Sequence, residues 1–489
     1  MTDAALPVPS TRPFPAEIER VWPGTDRTTP GTSFGLASAA GVAAATLLPN
    51  AGPGIGLFAV GLLVAATALP TLRGRLGLHE VGFGVAATLL LAVVVVRDAE
   101  WLVALCLLGT IATATYALCR GRTIVGTLLA ALSLPLGGLR ALPWIGRGIS
   151  ARLPARGAAA WGPSMRTLLT SIGLLVVFGA LFASADAVFA AYLPTVDLAD
   201  VPQRVILGLL FTGLALTTAF LGAAPPRWDV LAPGPARPVR PIEWVVPITV
   251  LIGLFVAFVA VQVTVVLGGD DYVLRTSGLT YAEHARSGFG QLVAVTLLVV
   301  VVVSAAVRWA PRDTAGRRRL LQTLLGGLCV LALAVVVAAL HRLHLYEEAF
   351  GFTRLRLFMN VFEGWLGLLI VMVLLAGVRL RAPWLPGAVV ATAAAALLGL
   401  AAINADGFVA DRNVARYEAT GKLDTAYLQG LSADAVPAID RLPEPLRSCV
   451  LGGLVVDEDG GPGGWNFGRE RAREILPRRS VASAATCTQ

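Results

Sequence analysis

The chain has 489 residues, of which 56% are hydrophobic and only 14% are charged, and its formal net charge is +8. A soluble domain averages about 45–50% apolar and about 25% charged residues, so a water-soluble fold cannot bury this much apolar surface. The basic residues are almost all arginine, and no basic run with interleaved aromatics indicates nucleic acid binding. Composition therefore predicts an all-α, polytopic transmembrane helical bundle whose arginines act as topological signals.

The chain divides by composition into three parts. Residues 1–32 are rich in Pro and Thr and lack the layout of a cleaved signal peptide, which predicts a disordered cytoplasmic tail. Residues 33–403 hold the apolar runs and form the predicted bundle. Residues 404–489 predict a small helical C-terminal extracytoplasmic domain with a flexible end. Its predicted helices are 408–418, 424–430, 433–440, 443–452 and 466–475.

A membrane-spanning helix needs about 20 mainly apolar residues. About 11 spans are predicted on this basis: 33–49, 54–71, 82–96, 101–118, 167–192, 204–223, 243–267, 289–309, 320–341, 356–378 and 385–403. A further apolar stretch, 123–138, is shorter and contains Pro135, Gly137 and Gly138. It is predicted to be a partial, re-entrant or interfacial segment.

Arginine positions orient the predicted bundle. If the N-terminus is cytoplasmic and the segment 123–138 does not cross, most loop arginines fall on the cytoplasmic side, as the positive-inside rule requires. If that segment does cross, the side of the membrane that holds most loop arginines changes halfway along the chain. An odd number of spans then places the C-terminus outside. We expect a multi-pass protein of the plasma membrane with a cytoplasmic N-terminus and an extracytoplasmic C-terminus.

The five cysteines give no metal spacing. Cys106, Cys119 and Cys329 lie in apolar runs and are expected to be small buried hydrophobes. Cys449 and Cys487 would suit a disulfide in an oxidising compartment, and the alternative is two unpaired thiols. The histidines at 341 and 344 have the spacing to reach one metal ion, but no third ligand has a fixed spacing. We expect no metal and no cofactor.

Polar residues that border the spans collect in four clusters, and the predicted topology places all four on the outer face. The clusters are Arg97, Asp98 and Glu100; Asp186; the run from Gln262 through Asp270 and Asp271 to Tyr281, Glu283 and Arg286; and the run from His341 through Tyr346, Glu347 and Arg354 to Arg356. Polar groups from several helices at one membrane face describe a ligand site. The alternatives are local: ion pairs within a hairpin or loop, helix packing by Asp186, and a capping box of Thr280 with Glu283.

Four of these stretches resemble a bacterial, largely actinobacterial, family of membrane proteins of unknown function, DUF4173, and the related DUF4153. They are RDAEW (97–101), SADAVF (184–189), GLTYAEHARSGF (278–289) and LYEEAFGFTRLR (345–356). The tail is similar at DRNVARY (411–417), TGKLD (420–424) and LSADAVP (431–437). The resemblance implies the membrane class and no activity. His284 stands where relatives are expected to have tyrosine, which argues against a catalytic histidine.

Three hypotheses for function follow. In the first, an outward-facing polar site binds an anionic or lipid-linked ligand for transport or envelope scaffolding. Arg354 and Arg356 would contact the anion, while Asp186, Glu283 and Glu347 would balance its charge. In the second, an envelope transferase uses the outer-loop acids Asp98, Glu100, Asp270 and Asp271. In the third, the outer tail of a sensor reports to a cytoplasmic protein. The expected partners are membrane lipids, and the common enzyme motifs are absent.

Overall fold

The computed structural model describes residues 16–152 except 73 and 75, 200–232, 240–277, 289–380, 382–456 and 461–476, with scattered positions from 167 to 182. The structure is 80% helix, and its described residues contain no strand. A helix forms its backbone hydrogen bonds within its own segment. A membrane-spanning element needs this because lipid offers no hydrogen-bonding partner. The all-α prediction is confirmed.

The helices are numbered in chain order over the described residues. They are α1 Ala16–Val21, α2 Gly31–Leu47, α3 Ile55–Ala66, α4 Leu78–Val96, α5 Glu100–Cys119, α6 Ile124–Ala130, α7 Ser133–Ser150, α8 Val201–Ala223 and α9 Pro241–Ser277. They continue as α10 Phe289–Trp309, α11 Ala315–Phe350, α12 Arg354–Arg379, α13 Leu385–Ala402, α14 Ala405–Thr420, α15 Thr425–Gln429, α16 Val436–Ile439, α17 Leu446–Gly453 and α18 Phe467–Ile475. Short 3₁₀ helices cover Trp228–Leu231, Ala433–Ala435 and Pro462–Gly464.

Eight helices of the described residues are long and apolar enough to cross a membrane, namely α4, α5 and α8 to α13. Each coincides with a predicted span, so a multi-pass helical protein is confirmed. The predicted number of about 11 is not confirmed. Helices α2 and α3 match the first two predicted spans but have only 17 and 12 residues. The predicted span 167–192 lies largely outside the described residues.

The stretch 123–138 is not one continuous helix. Helix α6 ends at Ala130, α7 begins at Ser133, and the chain bends at this break. Arg140 on α7 is only 7% exposed, because it donates to the carbonyl oxygen of Trp22 at 2.8 Å and pairs with Glu19 at 2.5 Å. The predicted partial segment thus contains a bend, and whether it re-enters, lies at the interface or crosses the membrane stays a prediction.

One compact unit comprises residues up to 81, 129–227 and 459–464. In it α2 packs on α8 through small residues. A Cβ added to Gly41 would lie 1.9 Å from the Thr212 hydroxyl oxygen and 2.7 Å from the carbonyl oxygen of Gly208. Small residues at a crossing let two helices approach closely in lipid. Gly41 is therefore required by the contact with α8.

The other unit comprises residues 82–128, 228–458 and 465–489. One of its cores lies among α9 to α12 and is built around buried side chains such as Leu328 and Ile370. A second core joins Leu102 and Leu400, from α5 and α13, with Val436 of the C-terminal helices. Helices α14 to α18 thus share a core with the ends of the long helices. Their position outside the membrane stays a prediction.

The tail helices start and stop close to their predicted bounds, because Gly and Pro interrupt them as expected. Cys449 on α17 is disulfide-bonded. Cys106 and Cys329 are buried, as predicted, whereas Cys119 is only partly buried. The predicted partner, Cys487, lies outside the described residues.

We predict that Gly41→Val lowers the thermal stability of the protein. The backbone carbonyl at Gly208 cannot move aside, and overpacking of this kind costs about 1–3 kcal/mol. Gly35→Val is the matched control, since it lies on the same helix and a Cβ there meets nothing within 4 Å. The measurement is the fraction that stays monodisperse in size-exclusion chromatography after heating. Equal losses in the two variants would contradict this role of Gly41.

Candidate functional site

Seven of the eleven predicted site residues are described, and all seven lie in the second unit. Arg97, Asp98, Glu100 and Arg354 belong to or border a polar network around the α4–α5 hairpin, while Tyr346, Glu347 and Arg356 lie between α11 and α12. Both groups lie where α4, α11 and α13 end and α5 and α12 begin. We call this the hairpin end of the unit. Asp186, Tyr281, Glu283 and Arg286 lie outside the residues whose side chains are described.

The centre of the first group is Asp406, whose side chain is fully buried. Its carboxylate accepts from Arg354 Nε at 2.9 Å and Nη2 at 2.5 Å. It also accepts from Trp101 Nε1 at 3.0 Å and from the backbone N–H of Ser432 at 2.9 Å. Four N–H donors from three residues satisfy the charge, so one carboxylate holds together α5, α12, α14 and the loop after α15.

Two further acids exchange backbone hydrogen bonds across this network. Asp434 Oδ2 accepts from the N–H groups of Asp98 and Ala99, at 2.7 and 3.1 Å, at the start of α5. Asp98 Oδ2 accepts from the N–H of Ala433 at 3.1 Å, and its Oδ1 pairs with Arg469 at 2.6 Å. Asp434 thus accepts from the amides of Asp98 and Ala99 just before α5, and Asp98 accepts from the amide just before Asp434.

Arg97 and Asn466 complete the hairpin contacts. Arg97 Nε donates to the carbonyl oxygen of Ala401 at 2.7 Å, which places a cation at the C-terminus of α13. Asn466 Nδ2 donates to the carbonyl oxygens of Val94 and Arg97, at 2.9 Å each. Its Oδ1 accepts from the first N–H groups of α18. One amide side chain therefore caps the end of α4 and the start of α18. Together, Asp98, Trp101, Arg354, Asp406, Asp434, Asn466 and Arg469 form what we call the hairpin network.

The pKa values of Asp406 and Asp434 are shifted in opposite directions. Burial alone would raise the pKa of Asp406, but the hydrogen bonds and charge of Arg354 outweigh it, and this pKa lies below its usual range. For Asp434, burial dominates and raises the pKa to about 6, although the amides of Asp98 and Ala99 and the charge of Arg97 oppose it. Asp434 therefore changes its charge near neutral pH, whereas Asp406 stays ionised.

The second group, which we call the α11–α12 cluster, comprises Tyr346, Glu347, Arg356 and Asn360. The Arg356 guanidinium lies 4.1 Å from the centroid of the Tyr346 ring and donates to the carbonyl oxygen of Gly351. Glu347 is only 3% exposed and accepts from Asn360 Nδ2 at 2.6 Å. Among the described residues, Arg356 forms no ion pair with a carboxylate, in contrast to Arg354.

A short turn sets the distance between the two groups. Gly351 has a φ of +79°, a conformation that favours glycine, and it ends α11. The backbone N–H and carbonyl of Phe352 both bond the Asn413 side chain, at 3.0 and 2.9 Å. Thr353 then caps α12. The C-terminal helix α14 therefore fixes the turn that carries both arginines.

Metal binding finds no support in the described residues, where no three His, Cys, Asp or Glu side chains come together. His344 instead lies 3.3 Å from Glu348 on the same exposed helix face. At the opposite end of the long helices, a cavity of about 700 Å³ is lined mostly by apolar side chains of α6 and α10 to α13. Its lining includes Gln322 and Ser304 but no charged residue, so it offers no group that recognises an ion.

Sequence reasoning placed the right segments together but missed their partners. No role was predicted for Asp406, which precedes the predicted helix 408–418, or for Arg469, which lies in the predicted helix 466–475. Asp434 belongs to the stretch LSADAVP that carried the family resemblance, which was the one signal for its importance. Glu100 is exposed at the first position of α5, where a carboxylate is favourable beside the helix N-terminus without any ligand.

We predict that Asp406→Asn destabilises the fold by about 3 kcal/mol, the low end for a broken buried ion pair because Arg354 is one-third exposed. The control is Asp411→Asn, which breaks the Arg441–Asp411 pair. Both partners there are about half exposed, so the expected cost is below about 1 kcal/mol. Thermal unfolding in detergent measures both. A Tm for Asp406→Asn equal to that of Asp411→Asn would refute the central role of Asp406.

The raised pKa of Asp434 predicts a pH-dependent stability. The folded pKa of about 6 exceeds the ordinary 3.8, so the folded state holds a proton that the unfolded state releases. This stabilisation is complete below about pH 4 and is lost as pH rises through about 6. Tm should therefore fall between about pH 4 and pH 6, and Asp434→Asn, which cannot ionise, should reduce that fall. An identical pH profile in both proteins would contradict the assignment.

Comparison with known proteins places the chain in a family. Neither the curated proteins nor the solved structures include a match. The family model described as a domain of unknown function, DUF4153, matches residues 85–442, which contain Asp98, Arg354, Arg356, Asp406 and Asp434 but not Arg469. The match runs from within α4 to the end of α16 and covers well over half of the sequence. The chain therefore belongs to the DUF4153 family, as its motifs predicted.

Proposed function

We propose that this membrane protein binds an anionic or lipid-linked ligand at an outward-facing polar site, for transport or envelope scaffolding. The α11–α12 cluster at the hairpin end is that site. The observation that carries the proposal is Arg356, a half-buried cation that stacks on Tyr346 and has no carboxylate partner among the described residues.

The Arg356 guanidinium lies over an aromatic ring, and its Nη1 donates to the carbonyl oxygen of Gly351. Its Nε and Nη2 have no acceptor among the described residues, so this edge can make two parallel hydrogen bonds to a phosphate or carboxylate. Stacking also limits the rotamer freedom that binding would remove. Arg354 is different because Asp406 already occupies its Nε and Nη2. The proposal therefore assigns the anion contact to Arg356 and assigns Arg354 to docking of the C-terminal helices.

Two observations support an outward orientation of the hairpin end. The positive-inside rule assigns this end to the outside, since arginines are denser in the loops at the opposite end. The disulfide at Cys449 lies in the helices packed at the hairpin end, and disulfides persist in oxidising compartments outside the cytoplasm. Both support ligand capture from the outer leaflet or beyond.

The transferase hypothesis has less support. A catalytic acid must reach the proton it transfers, whereas Asp98 is engaged by Arg469 and by the amide of Ala433. Asp270 and Asp271 lie among the residues whose side chains are not described. The geometry thus favours binding over catalysis at this end.

We predict that Arg356→Gln reduces binding of an anionic lipid. The probe is phosphatidylglycerol, present as a minor component of phosphatidylethanolamine nanodiscs, with retained lipid counted by native mass spectrometry. Loss of a charge-assisted contact of about 1.5 kcal/mol or more should lower occupancy roughly tenfold. Arg412→Gln is the matched control because Arg412 also stacks on a ring, that of Phe408 at 5.0 Å, but is exposed. Unchanged retention in Arg356→Gln would reject the site.

A further inference from the structure

Helix α12 carries a stripe of polar residues into the bundle. Arg356, Asn360 and Glu363 are spaced four and three residues apart, so they follow one face of the helix. Glu363 lies nine residues from the start of α12, about 13 Å along the axis at 1.5 Å per residue. From Glu363 to Val378 the helix has no other charged residue. The stripe of polar residues therefore begins at the hairpin end and ends at the carboxyl group of Glu363 inside the span.

Glu363 is fully buried, and its hydrogen bonding is incomplete. Among the described residues its Oε2 has no hydrogen-bond partner, and its Oε1 has a single one, the hydroxyl oxygen of Thr296 on α10 at 3.4 Å. An ionised carboxylate without a paired cation is very costly inside a membrane span. Such a group must carry a proton or a bound cation.

A proton on Glu363 also satisfies the hydroxyl of Thr296. It has one hydrogen to donate, and the carbonyl oxygen of Leu292 lies at 3.0 Å, closer than Glu363. If that hydrogen goes to Leu292, the hydroxyl oxygen keeps its lone pairs for a donor. A protonated Glu363 supplies that donor, whereas an ionised one would leave two acceptors facing each other. The protonated carboxyl group satisfies the contacts.

Two polar side chains lie between this carboxyl group and the hairpin end. Asn360, one turn earlier on the same face, donates to Glu347 Oε1 at 2.6 Å. Glu347 lies three residues before the end of α11, near Arg356 and the exposed His344. Carboxyl, amide and carboxyl groups thus follow one another from the end of the bundle to Glu363.

Few other charged groups surround this position in the described residues. Helix α11 carries Glu347, the exposed His341, Arg342, which donates to Gln262 of α9 at 2.9 Å, and, deeper in the bundle, the thiol of Cys329. Between residues 290 and 307, α10 has no charged residue, and neither does α13. Helix α14 contributes Asp406, which Arg354 already neutralises. Among the described residues, no arginine or histidine pairs with Glu363.

We propose that Glu363 is a proton-binding site that exchanges its proton with the hairpin end through Asn360 and Glu347. This goes beyond the proposed function, because it concerns a proton inside the bundle and holds whether or not an anion binds at Arg356. A protonation site at the end of a polar route is the element that couples ligand binding in a membrane protein to an external proton supply.

The first test detects the proton. Dicyclohexylcarbodiimide is apolar and modifies protonated carboxyl groups, so the full-length protein in nanodiscs should be labelled at Glu363, as read by peptide mass spectrometry. Labelling should fall several-fold at alkaline pH, and ionised Asp406, equally buried, should stay unlabelled. An unlabelled Glu363 at every pH would overturn the proposal. So would loss of labelling on addition of sodium ions at constant pH, which would identify a cation site.

The second test follows the route. The carbonyl stretch of a protonated carboxyl group is visible by infrared spectroscopy, and its assignment to Glu363 rests on its disappearance in Glu363→Gln. After transfer to heavy water the band shifts at the rate of proton exchange. We expect Asn360→Leu to slow that shift several-fold, while Thr392→Val, which alters a hydroxyl between α12 and α13, leaves it unchanged. Exchange at the wild-type rate in Asn360→Leu would overturn the route.

Discussion

The hairpin end of this protein depends on one buried carboxylate, that of Asp406. A charge without solvent contact persists only where donors replace its hydration, and here Arg354, Trp101 and Ser432 supply all of them. Trp101 and Arg354 lie about 300 and 50 residues from Asp406 in the sequence, and Ser432 lies in the loop after α15. Satisfying Asp406 therefore fixes where α14 lies against α5 and α12. The turn at residues 351–353 follows, because Asn413 on the same helix holds it.

Glu363 and Asp406 are equally buried, yet they differ in how well their oxygens are satisfied. Asp406 has four donors and a lowered pKa, which are the properties of a structural ion pair. Glu363 has one long contact and an oxygen without a partner. A protein retains such a deficit only where the group has another task, since an apolar side chain would pack there at lower cost. Hydrogen bonding, more than burial, separates the structural acid Asp406 from Glu363, the proposed proton-binding site.

The sequence predicted what depends on local pattern. Span positions follow from runs of apolar residues, and Gly and Pro mark the ends of the tail helices, so both agree with the structure where it describes them. The pairing of charges is long-range and was not predictable. Arg354 was assigned to a ligand, because a sequence shows a charge without its partner, and Asp406 lies 52 positions further along. Asp98 and Arg469 are separated by 371 positions. The family resemblance pointed to the stretch around Asp434 but gave no reason for it.

The spacing of the two arginines in LYEEAFGFTRLR explains how one motif serves two purposes. Residues two apart on a helix point to different sides, so Arg354 faces the C-terminal helices while Arg356 faces α11 and Tyr346. The face that begins with Arg356 continues through Asn360 to Glu363. The face of Arg354 ends at Asp406, where its charge is cancelled. Helix α14 holds the turn that precedes both arginines. The C-terminal helices therefore position the α11–α12 cluster without adding an anion-binding side chain to it. One side of α12 therefore carries the structural ion pair of Arg354, and the other side carries the proposed sites for an anion and a proton.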